Sequence, residues 1–344
     1  MKSTLTRITL LFGSILLIAS CSSYQKIDVE NIQKLYIDYN SSDPINYSTP
    51  FKAEVVMKMY TNEEVVLSKS KNFTSSQNIS IDFISKKATL YGIPTTFEKD
   101  VEVVTLSLTD KYGKTITASD TIRMNFNASL SIGFSGDKGA KGNNGGSGVS
   151  GGWLSRDGKA GDSGLNGANG QNGDNYEIHI WMEGDFYYIH MKNTTENWTA
   201  KYKMQGTHAL VMNAQGGNGG EGGSGGSGGT GKDGEIKGTT TKLPGNGGNG
   251  GNGGNAGNGG RGGDVQVIIN PNAESIKPYL EIRNGGGIAG NAGSGGSGGQ
   301  PGKPLNGQSQ GKSGSNGLNG MNGLGGMAGT VNVQTSSFDP NMYK

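Results

Sequence analysis

The chain has 344 residues, room for two or three domains, with 30 basic against 28 acidic side chains and a formal charge of +2. That near-balance offers no basic patch of the kind nucleic acid requires, and a single cysteine excludes an internal disulfide. The 64 glycines far exceed the usual share of roughly 7%, and all but Gly13, Gly92 and Gly113 lie at or after Gly133, so the composition breaks near residue 132.

Lys2 and Arg7 precede an apolar segment from Ile8 to Ala19, the n-region and h-region of a secretory signal, too short to span a bilayer. It ends in Leu17-Ile18-Ala19-Ser20-Cys21, which resembles the lipobox of bacterial lipoproteins. The resemblance implies a signal peptide over residues 1–20, diacylglycerol on the Cys21 thiol, and a palmitate-type acyl chain on the new amino terminus. The membrane is then a partner through lipid, and the location is the bacterial cell envelope. Two or more acyl chains anchor stably where one is marginal. Ser22 implies the outer membrane under the sorting rule of enterobacterial lipoproteins, and the sequence leaves the membrane face open.

After a tether over residues 21–33, short turn-bounded segments rich in β-branched and aromatic residues recur: Leu35–Tyr39, Phe51–Tyr60, Glu64–Leu67, Ile79–Ile84, Val101–Leu108 and Thr121–Ile132. In the last, Ile122, Met124, Phe126, Ala128 and Leu130 alternate with polar residues, which predicts one strand with one buried face. The pattern over residues 34–132 resembles an immunoglobulin-like β-sandwich of the kind found as spacers in bacterial surface proteins. Its charges are scattered and form no ligand set.

Beyond residue 132, glycine occupies every third position in six runs: Gly133–Gly151, Gly158–Gly173, Gly216–Gly234, Gly245–Gly263, Gly287–Gly302 and Gly311–Gly329. A flexible linker needs neither the strict period nor the near-equal lengths. Strict Gly-X-Y resembles collagen, which would imply a trimeric surface protein, but only Pro301 is an in-phase proline and the runs are short and interrupted. Extended rods with three residues per turn and about 3.1 Å rise leave every backbone N–H and C=O pointing sideways, so each must find a neighbour. The expected architecture is all-β: the sandwich, then a bundle of six antiparallel polyglycine II helices over residues 133–344 on a small β base inserted at 174–215, 264–286 and 330–335. Doubled glycines place runs three and four at the centre, so Gly251→Val should damage folding more than the same change at Gly167.

The links after runs one, three and five are short and polar, whereas runs two, four and six lead into strand-like segments. An antiparallel path therefore gathers three loops at a distal tip. Six antiparallel triplet helices are similar to the snow flea antifreeze protein, and triplet bundles with distal loops are similar to phage tail-fibre tip adhesins. The first resemblance implies an ice-binding face of small hydroxyl or methyl groups, which the mixed Asp137, Lys138, Lys141, Asp162 and Asn166 oppose. The second implies recognition by the loops.

Trp153, Arg156, Lys237 and Lys242 are the candidate tip contacts for a protein or glycan partner, with Trp153 folded back as a plug as the alternative. Run six carries Leu318, Met321, Leu324 and Met327, one per triplet and so in line, either as a docking stripe or as internal packing. Trp181, Tyr187, Tyr188, Trp198 and Tyr202 could stack sugars, although the alternation of Ile178, Ile180 and Met182 favours core packing. His179, His190 and His208 lack metal-site spacing. No catalytic or cofactor motif stands in a fitting context, so the expectation is a non-enzymatic protein with no cofactor, serving structural support or adhesion, or acting as an accessory subunit of an outer-membrane complex.

Overall fold

The computed structural model describes residues 28–67, 72–97 and 100–344. Cys21 and the expected signal segment, residues 1–20, lie outside them. The described chain is mostly β-strand in several sheets, with short 3-10 turns at Val29–Asn31, Pro271–Tyr279 and Pro340–Met342 as its helical content.

The first strands are β1 (Ile32–Tyr39), β2 (Phe51–Met59), β3 (Glu64–Val66), β4 (Phe73–Ser75), β5 (Ile79–Asp82), β6 (Lys87–Leu90), β7 (Val101–Thr109) and β8 (Thr115–Arg123). They form two antiparallel sheets, one ordered β1-β2-β6-β5 with β3 on β2, the other ordered β4-β7-β8. The single strand expected over Thr121–Ile132 is corrected: β8 ends at Arg123, and β9 (Leu130–Ile132) leaves for a different sheet. The alternating burial persists across the break, with Ile122, Met124, Ala128 and Leu130 all buried. Periodicity therefore reports the core here without reporting which neighbour supplies the hydrogen bonds.

The remaining strands are β10 (Tyr176–Glu183), β11 (Phe186–Asn193), β12 (Trp198–Gln205), β13 (Leu210–Asn213), β14 (Glu235–Lys237), β15 (Thr240–Lys242), β16 (Val265–Ile269), β17 (Leu280–Arg283) and β18 (Val331–Thr335). One sheet is ordered β12-β11-β10-β16-β18, and a second, β17-β13-β9, is wholly parallel. Ile178, Ile180 and Val267 from the first share one continuous buried cluster with Leu130, Leu210 and Met212 from the second, and that cluster runs on into Leu35, Val104 and Leu106 of the N-terminal sheets. A ring contact between Tyr47 and Tyr202, with centroids 6.1 Å apart, and an ion pair between Lys203 and Asp100 at 2.6 Å tie the two regions together.

Between these strands the glycine runs lie side by side, joined by lateral backbone hydrogen bonds that recur every third residue. Runs one, three and five are mutually parallel, as Gly139 donating to Asn218 and Gly222 donating to Asn291 exemplify. Runs two, four and six form a second parallel set, as in Gly161 to Asn249 and Gly253 to Leu318. Antiparallel bonds cross between the sets, for example Gly220 to Ala168, Gly254 to Gly223 and Gly317 to Gly296. Runs three and four each bond four neighbours, runs two and five three, and the outer runs one and six two.

Each set of runs continues directly into a parallel three-strand array. The first set is fed by β9, β13 and β17, and the second feeds β10, β16 and β18 in matching order. The strands supply the apolar core that glycine cannot. Gly133 alone among the run glycines has positive φ, so glycine is required in the runs for close approach. A Cβ built at Gly251 would lie 1.9 Å from the Asp162 carbonyl oxygen, and one at Gly167 would lie 2.3 Å from that of Gly220. Both distances are prohibitive, so the in-phase glycine is blocked by the carbonyl it faces in a central and in a flanking run alike.

Candidate functional site

The three short links lie together at the end of the runs away from the β-sheets. Gly152–Asp157 forms a turn in which Gly152 donates to Ser155. Within the short polar link expected after run three, residues 235–242 form a hairpin of β14 and β15, and the third loop turns at Gly307, whose φ is +81°. The link composition hid the hairpin because Ile236 is its one strongly apolar strand residue.

Arg156 joins the loops from within. Its Nε donates to the Leu243 carbonyl at 2.6 Å, one terminal nitrogen donates to the Asp233 carbonyl, and the other stands 3.7 Å from the Glu235 carboxylate. Gln308 Nε2 donates to the Lys242 carbonyl at 3.2 Å, and the Lys303 amide donates to Asp233 Oδ1 at 2.7 Å, which attaches the third loop. Of the four candidate contacts, Arg156 is thus turned inward and half-buried, while Trp153, Lys237 and Lys242 are exposed. Trp153 is 83% exposed and Leu154 92%, so the tryptophan does not plug the bundle. Ile236, Leu243 and Leu305 are also exposed at this end, a set of apolar tips that residue-by-residue reading does not assemble.

The run-six stripe faces solvent, with Leu318, Met321, Leu324 and Met327 between 69% and 74% exposed. Beside it lies a feature that sequence reasoning missed. Asn166, Asn169 and Asn172 of run two accept the backbone N–H groups of Asn255, Asn258 and Arg261 on their Oδ1 atoms. Asn249, Asn252, Asn255 and Asn258 of run four in turn accept those of Ser315, Leu318, Met321 and Leu324, at 2.8 to 3.0 Å. Runs two, three and four donate two of their three rows of N–H groups to backbone carbonyls of neighbouring rods and runs one, five and six only one. In runs four, five and six many of the N–H groups left over are accepted by asparagine Oδ1 atoms. Their recurrence at every third position is the signal that could have revealed them. Asp264 ends one row, accepting the Thr330 amide and hydroxyl and both terminal nitrogens of Arg261, and these donors hold its carboxyl well below the usual carboxylate range.

The five aromatic residues expected as one cluster are split by the pleat. Trp181 stacks on Tyr188 and is covered by Phe97, Phe338 and Tyr343, Tyr187 and Tyr202 are buried in the core, and Trp198 packs against Phe134 and Tyr176. His179 and His190 pair across β10 and β11 beneath Tyr343. Each has a buried Nδ1 without a hydrogen-bond partner, and burial pushes both imidazoles below the usual histidine value. His208 instead meets Asn127 Oδ1 at 2.7 Å.

Among the described residues no group of His, Cys, Asp and Glu is disposed to hold a metal ion, and no helix is long and apolar enough to cross a membrane. No protein-family model matches the chain, and neither the curated proteins nor the solved structures contain a match.

Proposed function

We propose that this chain is a non-enzymatic envelope lipoprotein, attached through Cys21, in which an immunoglobulin-like sandwich and the β-sheets beside it carry a bundle of polyglycine II helices. The bundle is a rigid element for structural support or adhesion, with its loop tip as the contact end. The observation that carries this reading is the lateral hydrogen bonding of all six runs, which turns the most flexible residue type into rods tied on several sides. At about 3.1 Å per residue such a rod extends on the order of 59 Å, enough to hold the tip well clear of its support.

Binding of the full protein to a glycan and cell-surface panel tests the adhesive role, with Trp153→Ala as the comparison. Loss of binding in the variant supports recognition by the tip, and unchanged binding removes it. Labelled palmitate should enter the wild-type chain and not Cys21→Ser; equal labelling would overturn the anchor. Protease shaving of intact cells separates a surface role from a periplasmic one.

A second reading, an accessory subunit docking through its Leu/Met stripe or its β base, is favoured by the stripe's exposure. A collagen-like trimer is disfavoured by bonds that join the runs within one chain; a monomeric mass would end it.

A further inference from the structure

Three loops present five exposed apolar side chains at one end of the molecule: Trp153 and Leu154 on the first, Ile236 and Leu243 on the second, and Leu305 on the third. None of these loops needs such residues for its own fold. The turns are closed by backbone bonds and by Arg156, Asp233 and Gln308, and the apolar tips stand outside that network.

The charge around them is predominantly basic. Lys159, Lys232, Lys237, Lys242, Lys303 and Lys312 lie in the loops or within three residues of them, and among the described residues none is in an ion pair. Three acids lie nearby, Asp157 accepting the Asn246 amide, Asp233 that of Lys303 and Glu235 facing Arg156, and they offset only part of the charge of the six lysines. Apolar tips beside lysines that are in no ion pair suit the boundary between lipid headgroups and acyl chains, where tryptophan also settles. A soluble sugar would not call for five separate aliphatic and aromatic points, and the lysines match the negative surface of an anionic leaflet.

We propose that the tip inserts shallowly into an anionic lipid surface, the loop side chains entering the interface and the lysines meeting the headgroups. This deepens the adhesive reading above and rests on it for taking the tip as the contact end; the proposed anchor at Cys21 is a separate attachment. Each lysine brought near an anionic surface should strengthen binding about five-fold.

The test uses the full chain with anionic or zwitterionic vesicles carrying brominated acyl chains, and reads quenching of tryptophan fluorescence. Residues 1–27 contain no tryptophan, Trp181 is buried and Trp198 is half-buried against Phe134, so insertion elsewhere leaves the signal to Trp153. We expect quenching at anionic vesicles that disappears in Trp153→Phe. It should weaken at least ten-fold at zwitterionic vesicles and in Leu154→Asp, whose exposed position leaves the fold intact by thermal unfolding. No quenching at anionic vesicles, or equal quenching in Trp153→Phe, overturns the proposal. Complete competition by soluble glycerol phosphate also overturns it, because a free headgroup would then suffice. If vesicle contact fails while cell-panel binding still depends on Trp153, only the lipid assignment falls; if both fail, the adhesive reading falls with it.

Discussion

The amide N–H of Met321 donates to Asn255 Oδ1 at 2.8 Å, while the Asn255 amide donates to Asn166 Oδ1 at the same distance. One side chain therefore links its own rod to the next, and its backbone is held by the rod before. Asn255→Ala should destabilise by roughly 0.5–1.5 kcal/mol, and Asn255→Asp by less because the acceptor oxygen remains. Denaturant unfolding of the two variants checks this, and equal losses would show that the acceptor is not what matters.

Adjacent glycines offer an internal control. A Cβ at Gly326 would lie 1.9 Å from the Gly260 carbonyl oxygen, whereas one at Gly325 meets nothing closer than the Gly287 oxygen at 3.9 Å. Gly326→Ala should cost roughly 1–3 kcal/mol or more, since run four or six must move. Gly325→Ala should fall between neutral and a gain of about 0.4–1 kcal/mol from a less flexible unfolded chain. Melting temperatures of the pair decide, and a similar loss in both would contradict the close approach.

Stability should fall on acidification through the histidine range. Burial lowers the His179 and His190 values from the ordinary 6.5, so the unfolded chain takes up protons first. The stabilisation is full above about pH 6.5 and is lost as pH falls towards the folded-state values. His190→Gln should flatten that part of the stability curve, as measured by unfolding between pH 5 and about pH 8.

Arg156 is a clamp whose removal should act locally. Arg156→Ala leaves the Leu243 and Asp233 carbonyls without its donors, at a cost of about 1–3 kcal/mol. Amide exchange should accelerate in the three loops and not in β10 to β12. Arg156→Lys should rescue little, because a single ammonium cannot reproduce the guanidinium fork.

Much of this architecture is readable in the chain because glycine spacing reports a backbone contact directly. The segments between runs, rich in residues such as Ile178, Ile180 and Val267, announce strands by composition, and strands form within the expected insertions 174–215, 264–286 and 330–335. β8 was not readable: Thr115, Thr117, Ser119 and Thr121 are small and polar, and its place comes from pairing with β7. The inward turn of Arg156 and the cover of Phe338 and Tyr343 over His179 depend on contacts remote in sequence. Asparagine looked like polar filler until the rows of outward N–H groups gave it a task.

The winding order bears on how the molecule can assemble. Each run bonds only to the run before it and the one two before it, or to their successors. A chain emerging from its N-terminus can thus add one rod at a time to a finished edge, with no segment threaded beneath another. Pairing between layers starts from the three hairpins of modest loop length, which limits the closure entropy of those steps. A nascent chain stopped after run four would already hold two complete pairs, and synthesis of the last two runs would extend an existing template.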